Sequence, residues 1–115
     1  MDKKFIRDIF YYKNYYLDFY KTLKPEVRKK INWTLQLIAV IERIPAKYFI
    51  HITGSTGIYE IRVEVGSDIY RVFSFFDEGK LIVLVNGYQK KTQKTNKGEI
   101  EFAEKLKKQY FDEKD

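Results

Sequence analysis

Residues 58–88 constrain the fold more than any other part of the chain. IYEIRVEV (58–65), IYRVFSFF (69–76) and LIVLVNGY (81–88) are three runs rich in β-branched and aromatic residues, the composition of strands. Only GSD (66–68) and DEGK (77–80) separate them. Links this short join antiparallel neighbours, because a parallel crossover needs a dozen residues or more. The segment is therefore read as a three-stranded meander. In the first run Tyr59, Ile61, Val63 and Val65 take one face and Glu60, Arg62 and Glu64 the other. The third run starts apolar on both faces, which predicts a strand covered on both sides.

Residues 3–12 read as an earlier strand. Seven aromatics then crowd Phe10 to Tyr20. Tyr12, Tyr16, Phe19, Tyr20 and Leu23 recur at helical steps, which predicts core packing. A base-stacking platform would interleave basic residues, and this stretch holds only Lys13. Lys24-Pro25 marks a boundary, since proline suits the first turn of a new helix. Val27, Ile31, Leu35, Ile38 and Ile41 then form one stripe, with Ile44-Pro45 as its expected end. Residues 14–43 are thus read as a helical hairpin, with Arg28-Lys29-Lys30 on its solvated side. A connector (46–57) with a short extended piece near 49–53 carries His51. After the meander, Asn96 and Glu99 are spaced as a capping box. They open a final helix with Ile100, Ala103, Leu106 and Tyr110 or Phe111 inside. The expectation is one α+β domain over 1–115, a small antiparallel sheet packed by an N-terminal helical hairpin and a C-terminal helix.

Composition narrows the chemistry. There is no cysteine and a single histidine, so thiol nucleophiles, cysteine–zinc sites and an HExxH helix are excluded. No GxxxxGK[ST] or GxGxxG string cradles a nucleotide. No cofactor and no metal are expected. The N-terminus lacks a signal-peptide apolar core, and the longest apolar stretch, 35–41, is too short for a bilayer. A cytoplasmic location and no membrane partner are the expectation. Net charge is +6, of which +4 lies in NGYQKKTQKTNK (86–97).

Two constellations carry chemistry. The chain uses 17 lysines and only 5 arginines, and Arg62 and Arg71 sit in the middle of adjacent strands. A planar guanidinium grips phosphate in a way lysine cannot reproduce. A two-residue turn at Gly66-Ser67 places Arg62 directly opposite Arg71. A turn at Ser67-Asp68 leaves them diagonal, and a three-residue loop puts them on opposite faces. Directly opposed like charges are destabilising, so such a pair calls for an anion or a carboxylate such as Glu60 or Glu64. The second constellation is Lys90, Lys91, Lys94 and Lys97, uninterrupted by acid and leading from Tyr88 to a helix N-terminus. Together they point to a phosphodiester. Cleavage of RNA by its own 2′-OH needs a base, a stabiliser of the pentavalent phosphorus and an acid for the leaving oxygen.

GSTGIYEIR (54–62), YRVFSFF (70–76) and NGYQKKTQKTNKGEIEFA (86–103) resemble the RelE/ParE toxin superfamily, in its HigB-like, phage-derived branch. The resemblance covers nearly the whole chain and implies the α+β fold above. It also implies the toxin of a type II toxin–antitoxin system, a metal-independent endoribonuclease that cuts mRNA in the ribosomal A site. The implied antitoxin is a helix-turn-helix, HigA-like protein. Arg71 is the implied stabiliser of the transition-state phosphate, with Arg62 beside it. Lys90 and Lys91 fall where the family places catalytic or phosphate-contacting groups, and Tyr88, Lys94 and Lys97 flank them. The best-studied branch carries lysines in the strand where this chain has Glu60, so Glu60 becomes a possible base, with His51 a weaker one. Two other functions fit the same superfamily: inhibition of DNA gyrase, and a catalytically silent nucleic-acid-binding role.

Overall fold

The computed structural model describes residues 5–92 and 96–114. In chain order the elements are β1 (Asp8–Tyr11), α1 (Tyr15–Lys21), α2 (Pro25–Val40), β2 (Phe49–His51), β3 (Tyr59–Val65), β4 (Asp68–Asp77), β5 (Leu81–Lys90) and α3 (Lys97–Lys114). The five strands form one sheet in the order β1-β5-β4-β3-β2. The meander is present as expected. Val65 pairs with Asp68, so the first turn is the two-residue Gly66-Ser67. Gly66 has φ +61°, as the first position of a type II′ turn requires. The second turn is a three-residue loop closed by the Asp77–Leu81 pair.

The β4–β5 pairing holds one irregularity that decides the site. Ser74 faces Leu84, but Val72 faces Gly87. Phe73 alone therefore opposes Val85 and Asn86, a β-bulge that inserts one residue into β5. The bulge reverses the facing of every later residue of the strand. Val83 and Val85 lie on one face before it, and Tyr88 lies on that face after it. Gly87 turns to the opposite face beneath Phe19 of α1. A Cβ built there would sit 2.5 Å from the Phe19 ring.

The helices cover both faces of the sheet. Val27, Ile31 and Ile38 of α2 and Tyr16 of α1 bury against Ile61, Val63, Val72, Ile82 and Leu84. Ala103 and Leu106 of α3 bury against Phe73, Phe75, Val83 and Val85 on the other side. β4 thus feeds both cores, as does β5, whose two apolar faces predicted it. Two arginines tie the helical hairpin in place. Arg28 donates to the Tyr20 and Lys21 carbonyls at the end of α1. Arg7 donates to the carbonyls of Ile38, Ile41 and Glu42 at the end of α2. Each satisfies orphan carbonyls and places a cation at the negative end of a helix dipole.

Three details are corrected within a sheet that is mostly antiparallel, as expected, with β1 running parallel to β5 at one edge. That strand starts at Asp8, since β5 begins at Leu81 opposite it and offers nothing earlier to pair with. Ile6 and Arg7 instead bond the Ala39 carbonyl. Helix α2 ends at Val40, with Ile41 already extended. The crowded aromatics also divide: Tyr12 and Tyr16 are buried, whereas Phe10 and Tyr11 are exposed on the edge strand.

Gly87→Ala is expected to cost about 1–3 kcal/mol by overpacking, read as a lower denaturant midpoint. Adding Phe19→Leu should recover part of that loss, and strictly additive costs would contradict the contact. A second expectation concerns acid. Asp77 is buried, accepts from Tyr110 Oη at 2.6 Å and meets Lys114 Nζ at 2.9 Å. These partners hold its carboxyl below the ordinary range. A depressed folded value stabilises above the unfolded value and is lost as pH falls through the folded one. Asp77→Asn should therefore cost about 1–3 kcal/mol at neutral pH and flatten the acid limb of the stability curve below about pH 4.

Candidate functional site

The bulge and the first turn together build a row across three strands. Arg62 pairs directly with Arg71, and Arg71 pairs directly with Tyr88. All three lie on the face that α3 occupies further along. Glu60 precedes Arg62 by two residues on the same face and lies diagonal to Arg71. Of the registers open at the sequence level, the structure takes the one with the two arginines directly opposed.

Glu60 resolves the repulsion. Its Oε1 lies 2.7 Å from Arg71 Nε and 3.2 Å from Arg62 Nε. The oxygen sits off the N–H axes, so neither Nε gains an aligned hydrogen bond. These contacts are ion pairs that leave directional bonding capacity unused. Arg71 is 3% exposed, Glu60 18% and Arg62 34%. Arg71 has one aligned hydrogen bond among the described residues, from Nη1 to the Tyr70 carbonyl at 3.2 Å. Burial lowers its pKa, with Glu60 opposing and Arg62 reinforcing that shift. Arginine nonetheless stays charged in proteins.

Tyr88 is held from two sides. Its ring stacks on Phe73 at 5.7 Å between centroids, with planes 18° apart. The bulge beneath it is clamped to α3, because Asn86 Nδ2 donates to the Glu99 carbonyl at 3.1 Å and to Glu99 Oε2 at 2.9 Å. Burial raises the Tyr88 pKa, the Glu60 charge raises it further and Arg71 opposes them. The phenol is therefore a proton donor at neutral pH. The expected capping box forms by half: Asn96 Oδ1 accepts from Glu99 N–H at 3.2 Å, while the Glu99 carboxylate is taken by Asn86.

The structure sorts the other candidates. Lys90 faces Ile69, two residues beyond Tyr88 along β5 and on the same face. Lys91 does not pair within the strand row. It follows the last residue of β5 and lines a cleft with Phe19, Leu23 and Tyr70 that Tyr88 also borders, away from the Arg62–Arg71 pair. Lys97 begins α3 and is exposed. Lys94 lies outside the described residues. His51 stacks its ring edge-on to Tyr59, on the face opposite Glu60 and Arg71, so it stands apart from that row. Phe73 and Asn86, which support Tyr88 by stacking and by clamping the bulge, were not singled out from the sequence. The signal for Asn86 was an Asn-Gly pair inside a strand pattern, which marks a bulge as well as a turn.

Residues 18–108 match the family described as phage derived protein Gp49-like (DUF891). The chain belongs to that family, a RelE/HigB-like toxin family. No curated protein matches the chain. Membership places it at a coarse level among the toxins of toxin–antitoxin systems, with an antitoxin as the implied partner.

Removing the carboxylate tests the electrostatics of the site. Glu60→Gln should lower stability by about 1–3 kcal/mol, because two guanidiniums then face each other unneutralised. Inorganic phosphate should raise the melting temperature of this variant more than that of the parent, with chloride at matched ionic strength as control. Equal responses would show that Glu60 does not occupy an anion site.

Proposed function

We propose that this Gp49-like protein is a ribosome-dependent mRNA endonuclease, inhibited by a cognate helix-turn-helix antitoxin. One observation carries the reading: Glu60, Arg62, Arg71 and Tyr88 converge on one face of the sheet. They supply a base, a dicationic stabiliser and an acid. A toxin that only binds gyrase has no need of such a set.

In the proposed reaction the RNA phosphate displaces the Glu60 carboxylate from Arg71. That movement frees Glu60 to take the 2′-OH proton. The 2′-oxygen attacks phosphorus, and negative charge develops on the equatorial oxygens. Arg71 and Arg62 stabilise that charge through donors that lack aligned partners in the free protein. Tyr88 gives its proton to the departing 5′-oxygen as the P–O5′ bond breaks. The products are a 2′,3′-cyclic phosphate and a 5′-OH end, and solvent returns the proton from Glu60 to Tyr88. Lys90 and Lys97, with Lys94 between them in sequence, attract neighbouring phosphates. Messenger RNA in the ribosomal A site is the substrate, because the ribosome orients the strand.

Inducing the isolated gene should arrest growth and yield cut transcripts by primer extension. Arg71→Ala should reduce cleavage about 10²–10³-fold, the range for removing one oxyanion donor. Tyr88→Phe and Glu60→Gln should each cost about 10²–10⁴-fold. The alkaline fall in rate from loss of the Tyr88 proton should come later than for an ordinary tyrosine, because burial raises its pKa. Intact transcripts accompanied by gyrase-dependent DNA breaks would refute the reading.

A further inference from the structure

Strand β2 pairs with β3 only from Tyr59 to Ile61. Beyond that point the outer edge of β3 is free, apart from Arg62 N–H donating to the Tyr48 carbonyl at 2.8 Å. A cleft of about 210 Å³ opens there, lined by Lys30, Lys47, Tyr48, Arg62 and Glu64. Three cations thus face one carboxylate. Neither lysine pairs with a carboxylate among the described residues. Each stands over an aromatic ring instead: Lys30 Nζ is 4.6 Å from the Trp33 ring and Lys47 Nζ 5.0 Å from that of Tyr48.

The two rings do not serve the interior. Trp33 and Tyr48 meet edge to face at 5.6 Å, and neither belongs to the two cores. Trp33 is 48% exposed. A half-exposed indole topped by an unpaired ammonium matches a ligand that is both anionic and planar. An acidic peptide would satisfy the lysines and make no use of the exposed part of the indole, which lies beside the cleft rather than in its lining. A single-stranded nucleic acid uses both, with phosphate on lysine and a base on indole.

We infer that Lys30, Trp33, Lys47 and Tyr48 form a second RNA-binding site, which holds the single strand as it leaves the Arg62–Arg71–Tyr88 row over the sheet edge. Arg62 belongs to both places and makes the path continuous. The inference rests on the endonuclease reading for the identity of the strand, yet binding and cleavage fail separately.

The test uses the full chain and a fluorescein-labelled 2′-O-methyl hexauridylate, which cannot be cleaved by its own 2′-oxygen. Anisotropy at low salt reports binding. Quenching reports contact, because Trp33 is the sole tryptophan. The parent and Arg71→Ala should both bind and show quenching. Lys30→Ala/Lys47→Ala should bind more weakly, and its log–log salt slope should be shallower by about 1.4, at roughly 0.7 per phosphate contact. Trp33→Ala should bind roughly 10- to 100-fold more weakly, the loss of one stacked base. Unchanged thermal unfolding of the variants confirms their fold. Absent quenching, or unaltered binding by the double lysine variant, overturns the inference and leaves the reaction site untouched. Quenching by poly-glutamate and not by the oligonucleotide would assign the cleft to a protein partner and overturn it equally. Cleavage that survives Arg71→Ala would misplace the reaction site and leave the cleft standing.

Discussion

The pairing of Glu60 with two directly opposed arginines is the interaction on which the site depends. Cross-strand like charges repel, and Arg71 is almost wholly removed from water. Burying an ion carries an effective penalty of several kcal/mol unless a counter-charge is held close. Glu60 supplies that charge to both arginines through one oxygen. Poor alignment leaves each Nε short of a full hydrogen bond. Such an arrangement neutralises both arginines and leaves directional bonding capacity unused. In the proposed reaction the phosphate takes the place of the carboxylate, which both admits the anion and releases the base.

The surrounding fold fixes the geometry of this exchange. Gly66-Ser67 sets the register that opposes the arginines. The bulge at Val85-Asn86 then brings Tyr88 to the same face. Each device has its own anchor. Gly66 accepts a left-handed φ, Asn86 locks the bulge onto the first turn of α3, and Gly87 leaves room for Phe19 on the reverse side. The face that carries Arg62, Arg71 and Tyr88 is thus tied to packing on both sides of the sheet. Arginine use follows the same economy. Arg7 and Arg28 cap helices, Arg62 and Arg71 meet Glu60, and the abundant lysines remain largely on the surface.

Much of this was legible in the sequence, for identifiable reasons. Strong alternation in IYEIRVEV and two short turns specified the meander, and Pro25 with its apolar stripe specified α2. The facing of Arg62 and Arg71 reduced to one unknown, the length of the turn at Gly66. Other features depend on tertiary partners that local patterns do not encode. β1 could be bounded only by where β5 begins. Asn86-Gly87 reads equally as a strand end or a bulge, and only the second puts Tyr88 beside Arg71 and Lys90 on the same face. His51 lay close to Glu60 in sequence, but strand alternation sends it to the other face. The aromatic cluster from Phe10 to Tyr20 divides between two cores and an exposed edge strand, which no single helical period foretells.

The chemistry of the cut ends tests the account most directly. Transcripts recovered from ribosomes after induction can be treated with polynucleotide kinase and ligated to adaptors that discriminate their termini. Attack by the 2′-oxygen, with Glu60 as base and Tyr88 as acid, predicts 5′-OH ends and 2′,3′-cyclic phosphates. Both should vanish together in Arg71→Ala. Ends bearing 5′-phosphate and 3′-OH would mean that water attacked phosphorus with the opposite bond broken, and would contradict the assigned roles of Glu60 and Tyr88.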